Sequence, residues 1–179
     1  FAAPNLKDIQ TNEHAAGGYV IEPTPGIYEN IIVLDFKSLY PSIIQTFKID
    51  PYSLLMKDVD TIQTLNGYKF SASLHILPDF IDDLMKLRDI AKKKKDKQLS
   101  QAIKILMNSF YGVMGSYGCR FYHPDLPRAI TGSGHKLLLG SKDYLENKGL
   151  KVVYGDTDSL FVMLNDISVD DGEAQGKKI

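Results

Sequence analysis

Asp156 and Asp158 stand two residues apart in the stretch VVYGDTDSLFVML, Val152 to Leu164, and Asp35 closes the apolar run NIIVLDF. Two carboxylates at one hairpin tip repel each other unless positive charge sits beside them. A hard divalent cation supplies that charge. Mg²⁺ takes oxygen ligands in octahedral geometry and usually keeps one or two carboxylates together with substrate phosphates. Paired ions can activate an attacking oxygen and stabilise a leaving one in phosphoryl transfer. The same letters have a plainer use, because Asp bonds its own backbone in turns and Asp-Thr-Asp is good turn chemistry by itself. If the strands bearing Asp35 and the Asp156–Asp158 pair are neighbours, three carboxylates converge.

A second group is basic. Between Lys86 and Lys104 eight Lys or Arg stand against two Asp or Glu, a local balance of +6 in a chain whose net charge is −1. Charge concentrated in this way points to a polyanion. Arg88 and Lys92 lie at i and i+4, and Lys104 projects from the next helical segment. Such a trio suits a triphosphate, Arg by its bidentate fork and Lys as point charge. Lys93, Lys94, Lys95 and Lys97 read instead as a solvated helix end, where the dipole favours cations. The third group is DFKSLYPSI, Asp35–Ile43. Backbone N–H groups at a helix start bind anions without any side chain, so this segment can hold phosphates beside Asp35. Tyr40 either projects there as a steric element or fills the core.

These residues need elements to position them. NIIVLDF reads as a buried strand. A helix is expected from about Ser38 and Pro41 to the residues before Asp50-Pro51. Residues 51–76 carry no assignable pattern. From Leu77 the spacing of Phe80, Leu84, Leu87 and Ala91 gives one apolar stripe. Ser100 is expected to cap a second helix whose stripe is Ile103, Met107, Phe110 and Met114. Lys104, Asn108 and Tyr111 share a different face of it. The two helices should form an antiparallel hairpin. A third helix covers 127–147 and ends at Gly149, and KVVYG with SLFVML makes the closing hairpin, GDTD at its turn.

The bulk properties narrow the field. The 179 residues, 44% hydrophobic and 24% charged, describe a globular protein with no secretory signal and no apolar run near the ~20 residues of a membrane span. Cys119 is the single cysteine, so an internal disulfide is impossible and a reducing compartment is expected. GSGHKL (Gly132–Leu137) lacks the third glycine of a dinucleotide fingerprint. Cys119 and His123 are too few for zinc, and His14, His75 and His135 have no ligand spacing. The start at Phe1 and the end at GEAQGKKI suggest a piece of something longer.

DFKSLYPSI, KILMNSFYG (Lys104–Gly112) and YGDTDS (Tyr154–Ser159) resemble, in that order, the three polymerase motifs of family B DNA polymerases. The surrounding FKIDP, LSQAIKILMNSFYGVMG, CRFYHP and GHKLL are most similar to the bacterial DNA polymerase II branch. The resemblance runs from about Gly18 to Leu164. It implies an α+β fold, an antiparallel-sheet palm with an inserted α-helical fingers hairpin: palm over 1–76, fingers over 77–117 and palm again over 118–179. It further implies DNA-dependent DNA polymerase activity, nucleotidyl transfer from a dNTP to a primer 3′-hydroxyl with two Mg²⁺, Mn²⁺ substituting.

By position, Asp35 and Asp158 resemble the principal metal ligands, Asp156 the nearby third carboxylate, and Phe36 a backbone-carbonyl ligand. Ser38 and Leu39 resemble the amides that meet the triphosphate, and Tyr40 the residue that excludes a ribose 2′-hydroxyl. Arg88 and Lys104 resemble phosphate-binding fingers residues, with Lys92 an accessory one. Asn108, Tyr111 and Gly112 resemble the face against the nascent base pair. The implied partners are primer–template DNA, dNTPs, the exonuclease and thumb domains of a parent chain and a sliding clamp, with no membrane. The implied location is the bacterial cytoplasm, at the nucleoid. Exonuclease motifs, thumb and the basic primer-holding motif are not found, so the fragment alone is expected to be inactive. The rival readings are a catalytically silent nucleic-acid-binding or scaffold module and a nucleotide cyclase. Asp35, Asp158 and Lys104 are all present, which argues against the first, and a basic finger hairpin has no role in the second.

Overall fold

The computed structural model describes residues 17–58 and 60–164. In chain order it contains β1 (Val20–Ile21), β2 (Ile31–Asp35), α1 (Leu39–Phe47), α2 (Pro51–Leu55), β3 (Thr61–Gln63), β4 (Lys69–Ser71), α3 (Leu77–Lys93), α4 (Lys97–Met114), α5 (Asp125–Asn147), β5 (Lys151–Asp156) and β6 (Ser159–Met163). These fall into two units. A sheet unit holds Gly17–Lys37 and the described residues from Gly134 onward; a helical unit holds Ser38–Ser133. α5 contributes to both.

The sheet unit is a four-stranded antiparallel sheet in the order β1-β5-β6-β2. β2 and β6 alternate as strands of a sheet with one packed face should, while β5 carries a bulge between Val152 and Tyr154. Leu160 and Val162 of β6 are buried with Val152 of β5 and with Leu138 and Leu145 of α5, and Ile32 and Leu34 of β2 pack against them. The residues between, Val33, Phe161 and Tyr154, line the opposite face, where Tyr154 and Phe161 meet ring to ring at 5.3 Å. Gly149 (φ +80°) stops α5 as the sequence expects, and the Leu150 N–H folds back to the Leu145 carbonyl.

The helical unit is built on a buried carboxylate. Asp50 caps α2, its side chain accepting the Ser53 N–H at 2.6 Å, while Ser53 Oγ accepts the Asp50 N–H. The other carboxylate oxygen accepts the N–H groups of Ile76 and Leu77, where α3 begins. No side chain at Ile76 itself caps α3, so Asp50 serves the first turns of two helices. α3 and α4 pack through Leu84, Ile103 and Met107, with Met85 and Phe110 alongside.

Two expectations are corrected here. α4 starts at Lys97, capped by Asp96, whose side chain accepts the Leu99 N–H at 3.0 Å; Ser100 is already inside the helix. The carboxylate at the end of the lysine run reaches the orphan amide first. The stripe of α3 is also rotated. Ile81, Leu84 and Ala91 are buried, whereas Phe80 and Leu87 are 48% and 43% exposed. Phe80 instead meets Phe110 edge to face at 5.8 Å. The unassigned segment after Pro51 contains α2 and the β3–β4 hairpin. Asn66 in that hairpin fastens it to α5, donating to the Arg128 carbonyl at 2.9 Å and accepting the Ser133 hydroxyl at 3.2 Å.

Candidate active site

The sheet fixes where the aspartates stand. Asp35, the last residue of β2, is the register partner of Ser159 on β6, and Asp156, the last residue of β5, pairs with Ser159 from the other side. Residues paired across antiparallel strands point to one face, so Asp35, Ser159 and Asp156 share one face of the sheet. Asp158 sits in the turn between β5 and β6, and its carbonyl accepts the Phe36 N–H at 2.8 Å. The backbones of all three aspartates thus meet at one end of one sheet. Asp35 and Asp156 are exposed and Asp158 half-buried.

The turn is tight. Thr157 has φ 52°, a left-handed conformation costly for a β-branched residue. Its hydroxyl donates to Asp156 Oδ1 at 2.9 Å, and Ser159 Oγ donates to the Asp156 carbonyl at 3.2 Å. At Gly155 a Cβ would lie 2.8 Å from Ile21 Cδ1 and 2.9 Å from Leu160 Cδ2, so a larger residue there would push aside the ends of both neighbouring side chains.

As a metal site this end of the sheet has the right donors, hard carboxylate oxygens with the Phe36 carbonyl next in sequence to Asp35. Among the described residues, no three His, Cys, Asp or Glu side chains are gathered closely enough to hold an ion. The convergence expected of the aspartates is met by their backbones and not by a closed side-chain cluster. A cavity of about 350 Å³, lined by Leu34, Phe36, Tyr144, Leu145 and Leu160, includes Asp35 in its wall.

The basic residues lie in the helical unit. Arg88 follows Ile81 and Leu84 on the packed side of α3, so it is half-buried rather than on a separate exposed line. Its Nη1 donates to Ser38 Oγ at 3.0 Å, and its Nε is buried without a partner among the described residues. A half-buried guanidinium whose buried Nε has no partner among the described residues fits an anion that completes its fork. Ser38 precedes α1 at φ 55°, ψ 55° and makes no side-chain cap; its hydroxyl is turned to Arg88 instead. A second non-glycine residue at a candidate site is thus held in left-handed backbone.

Lys92, Lys104 and Asn108 are exposed. Tyr40 is half-buried and packs on Tyr111 with ring centroids 4.7 Å apart, while Leu39 is core. Burial pushes the Tyr111 hydroxyl above its ordinary pKa, so it stays a neutral donor. At Gly112 a Cβ would meet no atom within 4 Å. Among the described residues nothing demands glycine at that point of α4, although a mid-helix glycine costs ~1 kcal/mol relative to Ala.

Sequence reasoning missed Asp50, Gly18 and Thr157 as determinants of these arrangements. Asp50 had a visible signal in Asp-Pro followed by Ser53. The other two are joined only by the folded sheet. Among the described residues no helix is long and apolar enough to cross a membrane.

The model of DNA polymerase family B matches residues 1–179. DNA polymerase II of Escherichia coli (strain K12) is 46% identical over 170 residues, covering 92% of this chain and 22% of the relative. A DNA polymerase of Thermococcus gorgonarius is 36% identical over 90% of this chain and 23% of its own length. The family B DNA polymerase from the hyperthermophilic archaeon Pyrobaculum calidifontis has a similar structure, with a TM-score of 0.72 and 28% identity over 98% of this chain and 25% of that one. The chain spans about a quarter or less of the length of these proteins. Fold, motif order and similarity over nearly the whole length agree: the chain belongs to DNA polymerase family B.

Proposed function

We propose that this chain is the nucleotidyl-transfer core of a DNA-dependent DNA polymerase, extending a primer 3′-hydroxyl with dNTPs on a DNA template. Residues 77–117 act as fingers and the flanking segments as palm. The observation that carries the reading is the register of the sheet, which sets Asp35 and Asp156 on either side of Ser159 with Asp158 in the turn beside them.

Asp35, Asp158 and the Phe36 carbonyl hold two Mg²⁺, or Mn²⁺, with Asp156 as the accessory carboxylate. When bound, such ions neutralise charge at the attacking and leaving oxygens. The helical unit supplies the rest. Arg88, with its free Nε, Lys104 and Lys92 take the triphosphate, and the Ser38 and Leu39 amides add donors at the start of α1. Tyr40, held by the Tyr111 ring, closes the space a ribose 2′-hydroxyl needs. Asn108, Tyr111 and Gly112 meet the nascent base pair, the bare Cα of Gly112 giving the pair room. Positioning and charge do most of the catalysis.

Primer grip, exonuclease and clamp contacts belong to a longer protein working at the bacterial nucleoid. The 179-residue chain by itself therefore lacks robust primer extension, because a small misplacement of the primer end costs ~100-fold in rate. The deciding experiment is Asp158→Asn in a full-length family B polymerase carrying this segment. Extension falls more than about a hundredfold, ~2.7 kcal/mol of transition-state stabilisation, with DNA binding retained. Activity above that limit rules the assignment out, and a silent binding module becomes the better reading.

A further inference from the structure

The Asp156–Asp158 turn is held partly from outside itself. Thr157 sits between the two aspartates in left-handed backbone, where a β-branched residue is strained unless its surroundings over-determine it. Those surroundings come from the segment leading into β1. The Thr157 N–H donates to the Tyr19 carbonyl at 2.9 Å. Gly18 presses on the Thr157 side chain so closely that a Cβ there would stand 2.1 Å from Oγ1 and 2.9 Å from both carbons of the branch. The next two residues pair with the turn's own strand, Val20 with Asp156 and Ile21 with Gly155.

The segment is itself tied down. His135 Nε2 lies 2.9 Å from the Gly17 carbonyl, and its ring meets that of Tyr19 at 5.4 Å. With Thr157 pinned, its hydroxyl reaches Asp156 Oδ1, and the Asp158 N–H closes on the Asp156 carbonyl. The Asp156 carboxylate and the backbone of Asp158 are thus both tied to where Thr157 is held.

We propose that Gly17–Tyr19, anchored by His135, is a brace that sets the carboxylate pair, making Gly18 and His135 positioning residues for the divalent-ion site. Neither touches substrate. The inference rests on the metal-binding reading of Asp158, so its test includes that residue. Groups that orient metal ligands typically cost 10–100-fold in affinity when altered.

Mn²⁺ binding to the 179-residue chain, followed by the paramagnetic signal of free Mn²⁺, is measured beside amide exchange at residue 157. Gly18→Ala weakens Mn²⁺ binding about tenfold or more and His135→Ala by less, while the amide at 157 loses its protection. The double variant Gly18→Ala/Thr157→Gly removes the side chain that the new methyl strikes and accepts φ 52° without strain. It restores the protection and raises the affinity above that of Gly18→Ala, short of wild type because the hydroxyl that meets Asp156 Oδ1 is gone. Wild-type affinity in Gly18→Ala, or a double variant no better than the single, overturns the brace. If Asp158→Asn weakens Mn²⁺ binding and Gly18→Ala does not, only the brace fails. If the wild-type chain binds no Mn²⁺, the carboxylate reading fails and takes the brace with it.

Discussion

The two units hold charge in opposite ways. In the sheet unit the negative groups are short side chains at strand ends, set by register and by a turn with little room to move. In the helical unit the positive groups are long side chains on α3 and α4; Arg88 is held by a hydrogen bond to Ser38, while Lys92 and Lys104 are exposed. A carboxylate that must meet an ion within a few tenths of an ångström benefits from a backbone that cannot shift. A cation that follows a flexible triphosphate benefits from reach. The contrast implies that lesions in the sheet unit change the dependence on divalent ion, whereas lesions in the helical unit change the KM for dNTP.

Lys104→Ala gives the largest departure in the helical unit. In a full-length polymerase carrying the segment, kcat/KM for dNTP falls by roughly 10²–10³, the usual loss for one positioned charge, with the Mn²⁺ optimum unmoved. A shifted metal optimum would break the division of labour. Core truncations sharpen it on the side of stability. Leu138→Ala in the sheet unit and Met107→Ala in the helical unit each cost about 2–5 kcal/mol, since both side chains are buried. Calorimetry then shows whether the two units melt separately or together.

Tyr40→Ala has a smaller effect on dNTP use but lowers discrimination against rNTPs by about tenfold or more, as expected when a steric barrier is removed. Unchanged discrimination in single-nucleotide insertion would take Tyr40 out of the site. The smallest effect is expected from Asp82→Asn. The hydrogen bond from Lys86 holds the Asp82 carboxyl below its ordinary pKa. Such a pair contributes stability above the carboxylate range and loses it as pH falls through the lowered pKa. Both side chains stay open to solvent, Lys86 at 66% and Asp82 at 40%, so a thermal melt near neutral pH does not distinguish the variant.

Residues whose chemistry depends on type and local spacing were readable in the sequence. The positions of the aspartates at strand ends, the helical hairpin and the closing β-hairpin come from patterns a few residues long. What escaped depends on partners far along the chain. β1 is two residues long and has no periodicity to detect; it exists because β5 offers an edge. The rotation of α3 escaped because Phe80 and Leu87 make as good a stripe as Ile81 and Leu84 until α1 and α4 pack against the helix. That rotation matters for the site, since it puts Arg88 on the half-buried side of α3 while Lys92 stays exposed. Gly18 read as one of a pair of unremarked glycines, and only the folded sheet shows the threonine branch against it.

Asp50 has a consequence for how the protein opens. One carboxylate closes the first turn of α2 and the first turn of α3, so neither end frays without releasing the other. Amides that share a single anchor exchange in one opening event. Hydrogen exchange should therefore report α2 and the start of α3 as one cooperative block, although the β3–β4 hairpin lies between them in sequence.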